Sequence, residues 1–511
     1  MNEIVIGVEA LTEQQVLAVA RHDARVRLSD EARKAIGASR EIIEELAGDP
    51  EPHYGISTGF GALATKQIAP DDRVALQRSL IRSHAAGSGP EVEREVVRAL
   101  MLLRLSTLAT GRTGIRLETA ETYAAMLNAG ITPVVYEFGS LGCSGDLAPL
   151  AHCALAAMGE GTVRVGGEAL PAADALAAAG ITPVVLREKE GLALTNGVDG
   201  MLGMLTLAIH DLAMLFRTAD LAAAMSVEAQ LGTDAVFAAD LQALRPHPGQ
   251  ADSAANLRAL LVGSAIMASH RTGECTRVQD AYSLRCSPQV HGAGRDTLAH
   301  ARLVRDRELA SAVDNPVVTL DGRVESNGNF HGAPVGYVLD FLAIVAADLA
   351  SVAERRTDRF LDKARNHGLP PFLADDPGVD SGYMIAQYTQ AALVSELKRL
   401  AVPASVDSIP SSAMQEDHVS MGWSAARKLR RAVDAVTQVL AIEILTAARA
   451  LDLRSPLTPA PATAAARDAL RQQVAGPGPD HYLAPDIAAT VELVRSGRLI
   501  AAAEAVCGPL H

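Results

Sequence analysis

A mainly α-helical protein carrying a few small β-hairpins is the fold class this sequence predicts, on three observations. Met201 to about Leu231, Gly336 to Arg356 and Ala425 to Leu453 are long, apolar at helical spacing and free of internal proline. Aromatic residues make up only 3% of the chain while Ala and Leu recur throughout, so the core uses small, straight-chain side chains that suit closely packed helices. The β-branched runs are short. Thr162-Val-Arg-Val165 and Pro316-Val-Val-Thr-Leu320 each lie beside a Gly-Gly or Asp-Gly turn and read as hairpins at the edge of the helical mass.

Start and stop residues place further elements. Ser88-Gly-Pro-Glu91 reads as the cap of a helix from Val92 to about Thr110, with Gly111 as its stop. The hexapeptide Gly-Ile-Thr-Pro-Val-Val begins at Gly130 and again at Gly180, each time after an Ala-rich helical stretch that the glycine ends. Two copies do not make a solenoid. His367 to Gly382 and the Pro-rich Ser455 to Thr463 have loop composition. A chain of 511 residues exceeds what one hydrophobic core supports, and a soft boundary falls near Gly200, where the long helices begin.

Composition excludes several classes of function. Hydrophobic residues at 49% and charged residues at 21% describe an ordinary globular chain. A net charge of −14 with no stretch dense in Lys and Arg argues against nucleic acid as a partner. The N-terminus lacks a basic flank, and later apolar stretches are broken by Asp211, Arg217, Asp340 and Asp348, so no membrane association and a cytoplasmic location are expected. Cysteines at 143, 153, 275, 286 and 507 show no Cys-x-x-Cys spacing, which points to reduced thiols rather than a disulfide framework or a metal site. Neither a phosphate-binding Gly-x-x-x-x-Gly-Lys-Ser/Thr nor a His-Glu-x-x-His occurs, and Gly292-Ala-Gly294 lacks the rest of a dinucleotide fingerprint.

The chemistry is concentrated in Gly139-Ser-Leu-Gly-Cys-Ser-Gly-Asp-Leu-Ala-Pro-Leu150, a turn of small residues followed by a helix for which Asp146 is a natural N-cap and Pro149 fits the first turn. By itself this is a capped helix start. The Gly145 nitrogen, however, can approach the Cys143 carbonyl, and ring closure with loss of water from Ser144 leaves an exocyclic alkene conjugated to carbonyls. This step resembles formation of 4-methylideneimidazol-5-one (MIO) in the family of aromatic amino acid ammonia-lyases that act on histidine, phenylalanine or tyrosine. Their motif is Ala-Ser-Gly followed by Asp-Leu and Pro-Leu; here Cys143 takes the place of the alanine and only its carbonyl enters the ring.

The resemblance runs from Tyr54-Gly-Ile-Ser-Thr-Gly-Phe-Gly61 to beyond Glu416 and implies a role for each matching residue. Tyr54 corresponds to the phenolic base for the substrate's β-hydrogen. A free phenol titrates near about 10, so the site must favour the phenolate. Ser83 and His84 align with the substrate-selecting position, where an imidazole-binding His implies histidine as substrate and urocanate as product. Gln279, Tyr282 and Arg285 match an active-site segment; residues 282 and 285 share a face if helical, and Arg285 anchors the substrate carboxylate. Asn196 resembles the asparagine that contacts MIO and substrate, although Thr195 and Val198 depart from the family pattern. Phe330 resembles the aromatic that packs on the substrate. Pro410-Ser-Ser-Ala-Met-Gln-Glu-Asp-His418 also resembles the loop of the fumarase and aspartase group, but Gln415 replaces its Pro and its Lys is absent; Glu416 instead matches a glutamate expected near the imidazole.

By resemblance the fold is an N-terminal MIO-bearing domain, residues 1–199, followed over 200–511 by a long up-and-down helical bundle and C-terminal helices. The resemblance also implies a homotetramer whose sites draw on more than one subunit, so that residues 54, 285 and 416 need not meet in one chain. MIO is the one cofactor implied, with no metal, and a small amino acid is the partner. Competing readings are an MIO lyase or aminomutase acting on tyrosine or phenylalanine, and an inactive helical scaffold unable to form MIO. Cys143 beside the electrophile is expected to make the site sensitive to thiol reagents.

Overall fold

The helix Arg94–Ala109 shows how sequence builds the first part of the fold. From Val96 to Ala109 every residue is buried, as a helix apolar on nearly all sides requires. The helices Glu13–His22, Asp30–Gly48, Leu117–Asn128 and Leu147–Ala157 pack around it. Its buried arginines serve backbone carbonyls. Arg98 donates to Val19 O at 2.9 Å and Leu127 O at 3.1 Å, satisfying last-turn carbonyls of two neighbouring helices.

The computed structural model describes residues 3–271 and 278–511; Cys275 lies outside the described residues. Contacts divide the chain into two compact units. One comprises residues up to Ala208, Arg302–Asp340 and Pro403–Arg427; the other comprises Ile209–Ala301, Phe341–Val402 and Lys428–His511. The chain therefore enters each unit repeatedly, where the sequence had suggested one cut near residue 200. The long helices Asp199–Ala229, Ala333–Leu361 and Gly422–Asp452 each continue through a boundary. They match the three predicted apolar stretches to within a few residues.

The first unit holds the strands. Thr162–Val165 and Glu168–Pro171 form the expected hairpin, extended by Thr132–Pro133, and Val317–Val318 pairs with Val324–Glu325. Ile4–Ile6 pairs in parallel with Val26–Leu28. Ser88–Glu91, read from sequence as a helix cap, is instead a strand antiparallel to Tyr136–Phe138. Val92 N continues that pairing to Val135 O at 2.8 Å. The helix therefore starts at Arg94, and its N-cap Glu93 makes no side-chain cap bond. Gly130 and Gly180 each follow a helix with φ near +70° (+68° and +69°), yet only the first copy of the hexapeptide supplies a strand.

In the second unit the Arg356 and Glu443 side chains are fully buried and doubly bonded, Nη2 to Oε2 at 3.0 Å. Glu443 also accepts from Ser226 Oγ at 2.8 Å, and Arg356 donates to Ser287 Oγ at 3.3 Å. Four long helices thus share one paired charge, the arrangement in which a buried ion pair is least costly. Ser455 to Thr463 is irregular only up to Ala460; Pro461 opens the helix Pro461–Arg471, where proline costs no hydrogen bond. The loop expected between His367 and Gly382 is present, with one tight turn at Pro371–Leu373. Asp199–Ala229 and Ala333–Leu361 are long and apolar enough to cross a membrane by length and composition. Their apolar windows are 78% and 61% buried inside the protein, as in core helices.

Gly111 ends Arg94–Ala109 with φ +67°, and a Cβ there would lie 2.6 Å from the Ala35 carbonyl. Gly111→Ala is therefore expected to cost about 3 kcal/mol, combining left-handed strain and overpacking. Urea unfolding measures this, and an unchanged midpoint would contradict it.

Candidate active site

The Gly139–Leu150 run folds as a tight turn against a second glycine turn. Gly145, at φ +83°, forms a bridge with Gly197, and a Cβ at 145 would sit 2.0 Å from Gly197 O. Only glycine fits there. Asp146 N donates to Gly197 O at 2.7 Å. The Asp146 carboxylate is fully buried and accepts from Ser140 Oγ, Gly200 N and Met201 N, each at 2.9 Å. Asp146 occupies the N-cap position of Leu147–Ala157 but makes no side-chain bond to it; it caps Asp199–Ala229 instead. Burial pushes its pKa up to about 7, against the opposing effect of these donors. Gly142 O, on the other side of the turn, accepts from Ser420 Oγ at 2.6 Å and Gly332 N at 3.0 Å.

Beside this turn lies a cavity of about 670 Å³, within the usual range for a small-molecule site. Tyr54, His84, Cys143, Ser144, Asn196, Phe330 and Glu416 all line it. Tyr54 and Glu416, which in a tetramer need not have met in one chain, face one cavity of a single chain. Ser144 Oγ donates to Glu416 Oε1 at 2.8 Å, while Ser411 Oγ and Cys143 Sγ donate to Oε2 at 2.9 and 3.2 Å. Glu416 is held by mutual backbone bonds with Ser411 across a turn in which Ser412, Ala413 and Met414 all have positive φ. Non-glycine residues pay for that conformation, and such strain collects at functional sites.

Tyr54 Oη accepts from Gly61 N at 3.2 Å. His84 is half-buried, with Nδ1 at 3.1 Å from Ser83 Oγ. Burial pushes its pKa below the ordinary histidine value, so the ring is neutral at pH 7. Ser83 itself is exposed, donates to Leu80 O at 3.0 Å and does not line the cavity. Asn196 donates from Nδ2 to Asn315 O at 3.1 Å, and Arg104 fixes its backbone by donating to Asn196 O at 2.6 Å. Thr195 and Val198 are buried, do not line the cavity, and Thr195 Oγ1 bonds Gly191 O at 3.0 Å. These two departures from the motif therefore leave the lining unaltered.

Gln279, Tyr282 and Arg285 belong to the second unit and do not line this cavity. Tyr282–Arg285 is one helical turn, the condition under which residues 282 and 285 share a face. The guanidinium lies over the Tyr282 ring at 4.7 Å, and Tyr282 is 72% exposed. Among the lining residues that the sequence did not single out are Asn315, Asn327, His331 and His418. His331 and His418 stack with centroids 5.7 Å apart. The density of Asn in Ser326-Asn-Gly-Asn329, from which only the following Phe330 was taken, was the available clue.

Cys143 is 5% exposed and packs against Val419 and Met421. Burial, followed by the nearby Glu416 carboxylate, pushes its thiol up to about 12. A buried, protonated thiol argues against the expected sensitivity to thiol reagents, because the reactive species is the thiolate.

Residues 11–472 match the aromatic amino acid lyase family, and the chain belongs to that family. Over the whole of both chains it is 67% identical to the histidine ammonia-lyase of Streptomyces avermitilis. Identity to that of Sorangium cellulosum is 52%, over 96% of this chain and 97% of the relative. Among solved structures, tyrosine aminomutase from Streptomyces globisporus matches with a TM-score of 0.93 and 39% identity, covering 99% of both chains. Histidine ammonia-lyase from Trypanosoma cruzi matches with a TM-score of 0.91 and 37% identity, covering 99% of this chain and 96% of that one.

Asp146→Ala leaves two helix N–H groups and the Ser140 hydroxyl without their acceptor, and is expected to cost about 2–4 kcal/mol. Asp146→Asn, which keeps one acceptor, costs less; thermal unfolding orders the variants, and equal stability of parent and alanine variant would contradict the reading. Iodoacetamide at pH 8 is expected to leave Cys143 unlabelled in the native protein and to label it after unfolding, as read by peptide mapping. Stoichiometric native labelling at Cys143 would contradict its buried, protonated state.

Proposed function

We propose that this chain is a histidine ammonia-lyase, converting L-histidine to urocanate and ammonia. The observation that carries the proposal is one cavity lined by Ser144, Tyr54, His84 and Glu416, in a chain 67% identical along its length to a histidine ammonia-lyase. The residues fit MIO: Gly145 stands where no side chain is admitted, the Ser144 hydroxyl is presented on a carboxylate, and Cys143 need supply only its carbonyl. When formed, MIO supplies an electrophile that makes ammonia a feasible leaving group.

The remaining work falls to side chains. Tyr54 takes the β-proton. The neutral His84 ring and the Glu416 carboxylate recognise the substrate imidazole by hydrogen bonds, with Ser83 orienting His84. Asn196 holds the amino acid near Ser144 and Phe330 packs on its ring. Gln279, Tyr282 and Arg285 enter as the carboxylate anchor, with Arg285 offering a planar fork, contributed by a neighbouring copy in a homotetramer. Cytoplasmic location belongs to the same reading.

The likeness to a tyrosine aminomutase supports a second reading, an MIO enzyme acting on tyrosine. Purified protein mixed with L-histidine is expected to develop the near-ultraviolet absorbance of urocanate. Coumarate or a β-amino acid from tyrosine, with silence on histidine, would support the second reading and overturn the first. His84→Leu is expected to lower kcat/KM for histidine roughly 10- to 100-fold through one lost hydrogen bond to the substrate. An unchanged value would remove His84 from substrate recognition.

A further inference from the structure

The motif residue that departs from the family's alanine is the one whose side chain touches a proposed substrate-binding group. Among the described residues the donors on Glu416 are unevenly divided: Oε1 accepts from Ser144 Oγ, at 2.8 Å, whereas Oε2 accepts from Ser411 Oγ at 2.9 Å and Cys143 Sγ at 3.2 Å. We infer that the Cys143 thiol is a positioning residue for Glu416, donating its S–H to Oε2 so that Oε1 is the oxygen offered to the substrate imidazole N–H.

This inference rests on the proposed lyase reading. Formation of MIO removes Ser144 Oγ as water and with it the donor on Oε1. The donors on Oε2 are not consumed, because only the Cys143 carbonyl enters the ring and Ser411 takes no part. Glu416 thereby passes from three donors to two, both on the same oxygen, and the carboxylate's rotation is fixed with its other oxygen vacant. An alanine at 143 would leave Ser411 alone to set that rotation.

The thiol is suited to donating. It is almost wholly buried, and Val419 and Met421, from the segment that follows Glu416, pack against it. Burial and the carboxylate together keep the proton on sulfur, so the contact is S–H to carboxylate and not a repulsion between two anions. A thiol is a weak donor, but one that is itself almost wholly buried and placed on a charged acceptor gains from the low local dielectric around it.

Two measurements on the full-length protein test the inference. The first is the infrared S–H stretch of Cys143, isolated as the difference between parent and Cys143→Ala spectra. It is expected to move to higher wavenumber in Glu416→Ala, and a band that Glu416→Ala leaves in place would overturn the contact. The second is kinetic. Cys143→Ala, with the loss of two waters intact by mass, is expected to raise KM for L-histidine about 3- to 10-fold, the worth of one modest hydrogen bond, by a larger factor than kcat falls. Cys143→Ser, which restores a donor, should bring KM back toward the parent.

An unchanged KM in Cys143→Ala, or no recovery in Cys143→Ser, would overturn the positioning role. So would failure of Cys143→Ala to lose the two waters, since residue 143 would then act on ring formation. Failure of the parent itself to lose water or to produce urocanate would instead bring down the lyase reading, and the infrared band would still decide whether Cys143 holds Glu416.

Discussion

The Asp146 carboxylate fastens the reactive turn to the rest of the first unit. Its oxygens are taken by Ser140 on the turn itself and by the first N–H groups of Asp199–Ala229. The Gly145 and Gly197 backbones are thereby pressed together at a distance no side chain would allow. The turn cannot relax away from this contact without uncapping a 31-residue helix. A helix N-terminus left open inside protein costs more than one exposed to water, because the freed N–H groups find no substitute. The close approach of Gly145 to Gly197 is thus maintained by helix capping and not by local sequence preference.

Around that fixed turn the cavity is assembled from segments far apart in sequence, each carried on its own short device. Tyr54 is placed by the Gly61 amide, Asn196 by the buried Arg104, and Glu416 by a turn whose residues adopt left-handed backbone. Arg104 comes from the buried helix Arg94–Ala109, whereas Gly61 and the Ser412–Met414 turn lie in short irregular segments. Precision at the site and regularity in the scaffold are supplied by different parts of the chain, as expected when rigid elements position functional loops.

The long helices and the hairpins were legible in the sequence because apolar periodicity, glycine and proline act locally. Side-chain partners over long separations were not. Ser88-Gly-Pro-Glu91 has the composition of a cap, and only the distant strand Tyr136–Phe138 makes it a strand. Asp146 was recognisable as a capping residue, but which helix it caps depends on a contact with residues 200 and 201. Tyr54, His84, Asn196, Phe330 and Glu416 were found through resemblance and do share a cavity, whereas Ser83 is exposed beside His84. The stacked His331 and His418 were passed over because no local spacing marks them. The single cut near residue 200 missed the two later returns of the chain to the first unit, since a helix that runs through a boundary leaves no mark in its own periodicity.

The account stands on the claim that this turn converts itself into an electrophile. Intact mass of the purified protein, compared with Ser144→Ala, tests it most directly. The parent is expected to be lighter than its sequence by two waters, with the deficit mapping to the peptide containing residues 143–145, and Ser144→Ala should not lose both. A parent at full sequence mass, with an unmodified peptide, would contradict the account and leave the cavity without its reactive group.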